Sequence, residues 1–175
     1  MLAGAWGARA GQLLEQSCEP GGAPMHHAGG LTMPTAPHIA QGNSCCWLFG
    51  EPEDGGQLAA RFGLQSHTDL PAAFARALGE LGANAFELLL GRFAIVTFDR
   101  ELDRCLVTRD QLGAQPLVYT RIADGLLFAE HERDLLDLLP RTPSPDRLAL
   151  LHWLDGAVLP PGCTFYDEVR RVPAG

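Results

Sequence analysis

Leu90-Gly-Arg-Phe-Ala-Ile-Val-Thr-Phe-Asp99 is the stretch on which the fold turns. From Phe93 to Phe98, β-branched and aromatic residues dominate and no breaker interrupts them, which favours a strand. Asp99–Asp103 then makes a polar turn and Cys105–Thr108 returns as a second strand, so the two read as a hairpin. Further on, Leu117–Tyr119 and Leu126–Ala129 flank Asp124-Gly125, the signal of another hairpin. Strands that arrive in antiparallel hairpins, rather than alternating with long crossover helices, indicate an α+β layered class.

Upstream of that core the signals are shorter. Ala85–Leu90 suits a short helix closed by Gly91. Before it, Leu70, Phe74, Leu78 and Leu81 recur at helical spacing. Thr68 or Ser66 can cap that helix, Pro71 suits its first turn, Asp69 favours the positive end of its dipole, and Gly79 and Gly82 weaken its end. Gln57–Phe62 reads as one or two helical turns before Gly63, preceded by an acidic, turn-rich loop over Glu51–Gly56. Cys46-Trp-Leu-Phe49 is an apolar run ended by Gly50, which suits a buried strand. Short strands are expected over Leu2–Trp6 and Gly30–Met33. Downstream, helical turns over His131–Leu139 end at Pro140. Ser144-Pro145 reads as cap and first position of a helix reaching Asp155, with Leu148, Leu151 and Leu154 as its apolar side. From Val158 to Gly175 the chain is punctuated by proline and no further helix or strand is expected.

The 175 residues suit one domain spanning 1–175, and 46% apolar residues suffice for a sizeable core. A net charge of −8, from 13 basic and 21 acidic residues, argues against a nucleic-acid or anionic-membrane partner, because both need a basic footprint. Five cysteines, an odd number with no CxxC pair, suggest neither a disulfide framework nor a zinc knuckle. Adjacent Cys45 and Cys46 on a strand point to opposite faces and do not easily grip one metal together. The adjacent pair His26 and His27 diverges for the same reason and is read as loop, so no metal site is expected. His131 and His152 fall on helices and are read as packed or solvated. Without a membrane-length apolar stretch or a basic leader, the chain is expected to be soluble and cytoplasmic.

Several spaced motifs carry a family resemblance. Leu89, Gly91, Phe93, Ala94 and Asp99 fit L-x-G-x-F-A-x-x-x-x-D, and Arg109, Asp110, Gly113, Pro116, Leu117 and Tyr119 fit R-D-x-x-G-x-x-P-L-x-Y. Phe128-Ala-Glu-His131 stands where the pattern has F-A-S-E, and Thr164-Phe165 and Val172-Pro-Ala-Gly175 stand where it has T-x-F and L-P-P-G. In this order they resemble the class II glutamine amidotransferase domain of asparagine synthetases, strongly over 86–175 and moderately over 49–81. That resemblance implies the N-terminal-nucleophile fold, a four-layer αββα sandwich of two antiparallel sheets between helices. It also implies a following ATP-pyrophosphatase synthetase domain, so this chain is expected to be a fragment of a longer one.

The same resemblance exposes what the chain lacks. Class II amidotransferases attack the glutamine carboxamide with the thiolate of a first-residue cysteine, whose free α-amine serves as base. Leu2 stands in that position here, so no catalytic residue is assigned. The substrate-holding Asn-Gly-Glu becomes Phe49-Gly50-Glu51, which loses the amide that would stabilise an oxyanion. Gly-Ser-Asp becomes His67-Thr68-Asp69, keeping the aspartate, and no counterpart of the carboxylate-holding arginine is found. Gly50, Glu51 and Asp69 are therefore vestigial substrate-binding positions. Exposure of Cys18 by processing would rescue the chemistry, but Cys18-Glu-Pro-Gly21 does not resemble the family's C-G-I start. The expectation is a degenerate domain, without a cofactor of its own, that scaffolds an AMP-forming synthetase domain using ATP and Mg2+. Lasso-peptide macrolactam cyclases and β-lactam synthetases are members of this kind, with a precursor peptide or its processing proteins as further partners. The alternatives are a glutamine-hydrolysing asparagine synthetase with a misassigned or processed start, and a non-catalytic module binding a ligand or peptide.

Overall fold

In a computed structural model, the structure describes residues 3–7, 11, 26–28, 31–33, 39–41, 44–53, 55–63, 70–99, 102–123 and 125–175. Along the chain come strands β1 (Ala3–Trp6), β2 (His26–Ala28), β3 (Leu31–Met33), β4 (Ile39–Gln41) and β5 (Ser44–Pro52). Helices α1 (Gly55–Arg61) and α2 (Leu70–Leu81) follow, then a 3-10 helix (Gly82–Leu88). The second half holds β6 (Gly91–Asp99), β7 (Arg104–Arg109), β8 (Val118–Ile122), β9 (Gly125–Ala129), α3 (Glu132–Asp137), α4 (Arg147–Leu154) and β10 (Val169–Arg171). Two compact units result, one of Met1–Thr35 with Pro116–Pro173, the other of Ala36–Gln115 with Ala174–Gly175. Each is built on its own antiparallel sheet, six strands in the order β10-β8-β9-β1-β3-β2 and four in the order β4-β5-β6-β7. The chain is therefore α+β, and two antiparallel sheets plus helices are compatible with the sandwich expected.

In the four-stranded unit the hairpin at 91–109 forms as the sequence suggests. β6 pairs with β7 from Ala94↔Arg109 to Asp99↔Arg104, and with β5 from Ser44↔Asp99 to Pro52↔Gly91. Alternation sends Phe93 and Ile95, with Cys46 and Leu48, into a core with Leu58, Leu70, Phe74 and Ala77 of the helices. The opposite parity, Cys45, Trp47, Ala94, Val96 and Phe98, is buried as well. Both faces of β6 are thus withdrawn from water.

Two expectations change here. The short helix at 85–90 is a 3-10 helix that starts at Gly82, directly after α2. Gly82 adopts φ +58, which breaks α geometry, and only the tighter i→i+3 turn continues. Gly91 therefore closes no α-helix; it opens β6 at φ +93. β5 also outruns the Cys46–Phe49 segment, passing through Gly50 to Pro52, so the acidic loop is shorter than expected. The expected helix cap at Ser66, Thr68 and Asp69 lies outside the described residues.

In the six-stranded unit β1 lies inside the sheet, between β9 and β3. Ala3 and Ala5 face a core with Val118, Leu127, Ala129, Leu135 of α3 and Leu138 just after it. Gly4 points the other way, where a Cβ would collide with the Met33 sulfur and the Phe128 ring, so only glycine lets these large side chains lie across β1. His26 and His27 belong to β2, an edge strand, and not to a loop.

The C-terminal part holds three corrections. Val169–Arg171 forms β10 against β8, where no strand was expected; Thr164, fully buried, ties its approach by bonding the Tyr166 and Val169 carbonyls. The cap of α4 is Asp146, whose carboxylate accepts from the Leu148 and Ala149 amides, both at 3.0 Å. Ser144 and Pro145 instead join the chain near Tyr166, through an Asp167 N–H to the Ser144 carbonyl and a Pro145–Tyr166 bridge. Third, Leu148, Leu151 and Leu154 share a face that points to water, 70%, 56% and 71% exposed, and the helix seats itself on Ala149. Asp146→Ala should cost about 1 kcal/mol, the usual worth of an N-cap, read as a lower urea midpoint with an unchanged slope. No described helix is long and apolar enough to cross a membrane.

Candidate functional site

Three of the motif segments meet at Phe93. On one side Gly50 lies opposite it in the β5–β6 ladder, with Glu51 opposite Arg92. On the other, Asp110 donates its N–H to the Phe93 carbonyl at 2.9 Å. Gly50 can hold this place because its φ of +91 favours glycine, and because a Cβ would collide with the Arg92 carbonyl oxygen. Gly50 and Glu51 are both exposed, so this end of the sheet presents backbone and a carboxylate to solvent.

Beyond β7 the chain folds into a loop gripped by two adjacent side chains. Asp110 is 1% exposed. One carboxylate oxygen accepts from the Leu112 and Ala114 amides at 3.2 and 2.8 Å, and the other from Gln115 at 2.8 Å. Arg109 donates to the carbonyls of Gly113 and Gln115 at 3.2 and 3.3 Å. Gly113 makes the reversal at φ +67. Burial alone would push the Asp110 carboxyl up, but backbone N–H groups of Gln115, Ala114, Leu112 and Phe93 outweigh it and hold the group below its ordinary value. Arg109 and Asp110 thus both fix the loop, each through backbone partners.

Arg92 and Gln115 were not singled out from the sequence. Arg92 Nε donates to Gln115 Oε1 at 2.8 Å, and Gln115 is 3% exposed. This bond fastens the Asp110 loop to the strand facing Glu51. It joins residues 23 apart in the chain, so no local pattern announces it. Gln111 adds a bond to the Leu89 carbonyl at 3.0 Å.

The other motif residues have separate duties. Phe93 is core. Asp99 ends β6 and its Oδ1 accepts from the Leu102 amide, fixing the hairpin turn. Pro116 is partly buried, and Tyr119 lies in β8 between Phe128 and Arg170. Leu2 and Asp69 lie outside the described residues.

Two of the described cysteines, Cys46 and Cys105, do not offer an activated thiol. Burial, then the neighbouring Cys45, push the Cys46 thiol up to about 12, and burial pushes Cys105 up to about 12. Both are therefore neutral at physiological pH, and a neutral thiol is a poor nucleophile. His131 and His152 are exposed. Among the described residues no group of three or more His, Cys, Asp or Glu could hold a metal ion.

A family model described as a glutamine amidotransferase domain matches residues 57–175, a span that includes the β6–β7 hairpin and the Asp110 loop. No curated protein matches the chain.

Proposed function

Since the chain belongs to the glutamine amidotransferase domain family, we propose that it is a degenerate member that keeps the architecture and has lost glutamine hydrolysis. The observation that carries this reading is Leu2, in the position of the nucleophile immediately before β1. A leucine can neither attack a carboxamide nor be activated by its own amine. Phe49 in place of the oxyanion amide points the same way.

In this reading residues 1–175 form one domain of an asparagine-synthetase-like cytoplasmic protein. Its role is to scaffold an AMP-forming synthetase domain that adenylates a carboxylate for attack by an amine of the same substrate, as in lasso-peptide cyclases and β-lactam synthetases. ATP and Mg2+ belong to that synthetase domain, and no residue of this chain is assigned to them. A precursor peptide and its processing proteins are further proposed partners. The outward leucines of α4 support the scaffold role, because an exposed apolar helix face is what a covering domain would use.

Incubation with glutamine tests the proposal. The chain should release no glutamate above background, and mass spectrometry should find Met1 or Leu2 at its terminus. Glutamate release with an N-terminal cysteine would instead establish a processed, working amidotransferase. Leu2→Cys with the initiator removed should also stay inactive, because losing one oxyanion donor alone costs about 10²–10³ in rate. Calorimetric heat with glutamine but no hydrolysis would favour a ligand-binding module.

A further inference from the structure

The helical layer over the four-stranded sheet runs out before the β6–β7 hairpin does. Phe93 and Ile95 are roofed by helix, whereas Thr97 and Asp99, next on the same face, line an open cavity of about 440 Å3. Its walls are α2, the 3-10 helix and β7, with Leu78, Phe86 and Leu106 as the apolar lining. Leu106 is 43% exposed although it lies inside a strand. Gly79 and Gly82 keep the wall low, since a Cβ at either would find nothing within 4 Å. Asp99 and Arg104, opposite each other in the ladder, bring one negative and one positive group to the end of this lining.

We propose that this cavity binds a free α-amino acid with an apolar side chain, as a site separate from any glutamine chemistry. The α-ammonium meets Asp99, the α-carboxylate meets Arg104, and the side chain lies along Leu78, Phe86 and Leu106. Charge complementarity selects this class. A simple carboxylic acid would face Asp99 and an amine would face Arg104, whereas a zwitterion satisfies both. The Leu102 amide on Asp99 Oδ1 holds the carboxylate in place before a ligand arrives. The cavity falls within the roughly 300–1,000 Å3 of small-molecule sites.

Titration calorimetry on the chain tests this with L-phenylalanine and L-leucine, and with N-acetyl-L-phenylalanine, L-phenylalaninamide and L-glutamine as controls. One-site binding of the first two is expected. Each capped form should bind at least about tenfold more weakly, the scale of one lost charge-assisted bond, and so should glutamine, which keeps both charges but sets a polar side chain against the apolar lining. Gly79→Trp should block the cavity and Arg104→Gln should weaken binding about tenfold or more. Gly79→Ala, which leaves room for a ligand, should retain it. Absence of heat with both amino acids at millimolar concentration would overturn the proposal. So would equal binding of the capped forms, or unchanged binding by Arg104→Gln, a surface substitution that leaves the core untouched and reports even if Gly79→Trp does not fold.

Discussion

Asp110→Ala should lower stability by about 2–4 kcal/mol at neutral pH, because it strips the 110–115 loop of a buried charged acceptor. A bond to an ionised partner is worth about 1.5–3 kcal/mol, and leaving the amide of buried Gln115 unpaired adds to that, whereas Leu112 and Ala114 are exposed and their freed amides take up water, so the terms do not sum in full. Backbone N–H groups at Leu112, Ala114 and Gln115 all lose their partner at once. The effect has a sign in pH. The folded carboxyl titrates below its ordinary value of 3.8, so its contribution is complete above that value and is lost as pH falls through the folded pKa. Wild type and Asp110→Ala should therefore differ widely at pH 7 and converge in acid. Urea midpoints at several pH values check this; a deficit under about 1 kcal/mol, or one that persists unchanged in acid, would remove the loop-clamp account. Asp110→Asn should fall between, since its amide nitrogen can face some of the same donors only as another donor.

Gly50→Val should cost about 3 kcal/mol or more. A left-handed backbone costs an L-residue about 1–2 kcal/mol, with β-branched side chains worst. Here the added Cβ also meets the Arg92 carbonyl and comes to 3.0 Å from the Phe93 Cα; overpacking of that kind adds about 1–3 kcal/mol. Neither obstacle is a flexible side chain, so the β5–β6 ladder must open locally. Gly63 provides the control: it has φ +73 but open space around the Cβ position, so Gly63→Ala should show the conformational cost alone, about 1 kcal/mol. Equal losses at the two glycines would mean that the close backbone approach at Gly50 has no energetic consequence.

These two positions show what can be read from sequence and what cannot. The hairpins at 91–109 and 118–129 were legible because the strand signal, the turn and the return strand all fall within about twenty residues. Arg109-Asp110 was legible as a motif, yet the partners it collects are backbone amides and carbonyls, and side-chain patterns carry no record of them. The Arg92–Gln115 bond depends on register across a strand and a loop. The leucines of α4 failed for a different reason: periodicity tells which residues share a face, not whether anything covers that face. β10 was missed because three residues between prolines are too short for alternation to register. Of the positions expected to hold substrate, Gly50 and Glu51 are brought to one exposed sheet end, while Asp69, like Leu2 at the expected nucleophile position, falls outside the described residues.

The enclosure of β6 has a consequence in time as well as in energy. Flanked by β5 and β7 and buried on both faces from Phe93 to Phe98, its amides lack a local route to solvent. In native-state hydrogen exchange they should be replaced last, at a rate set by global opening. The three-residue edge strand β10 and the outward-facing α4 should exchange by fraying, long before. The stretch Gly91–Asp99 would then act as the slow clock against which every other motion in its unit is timed.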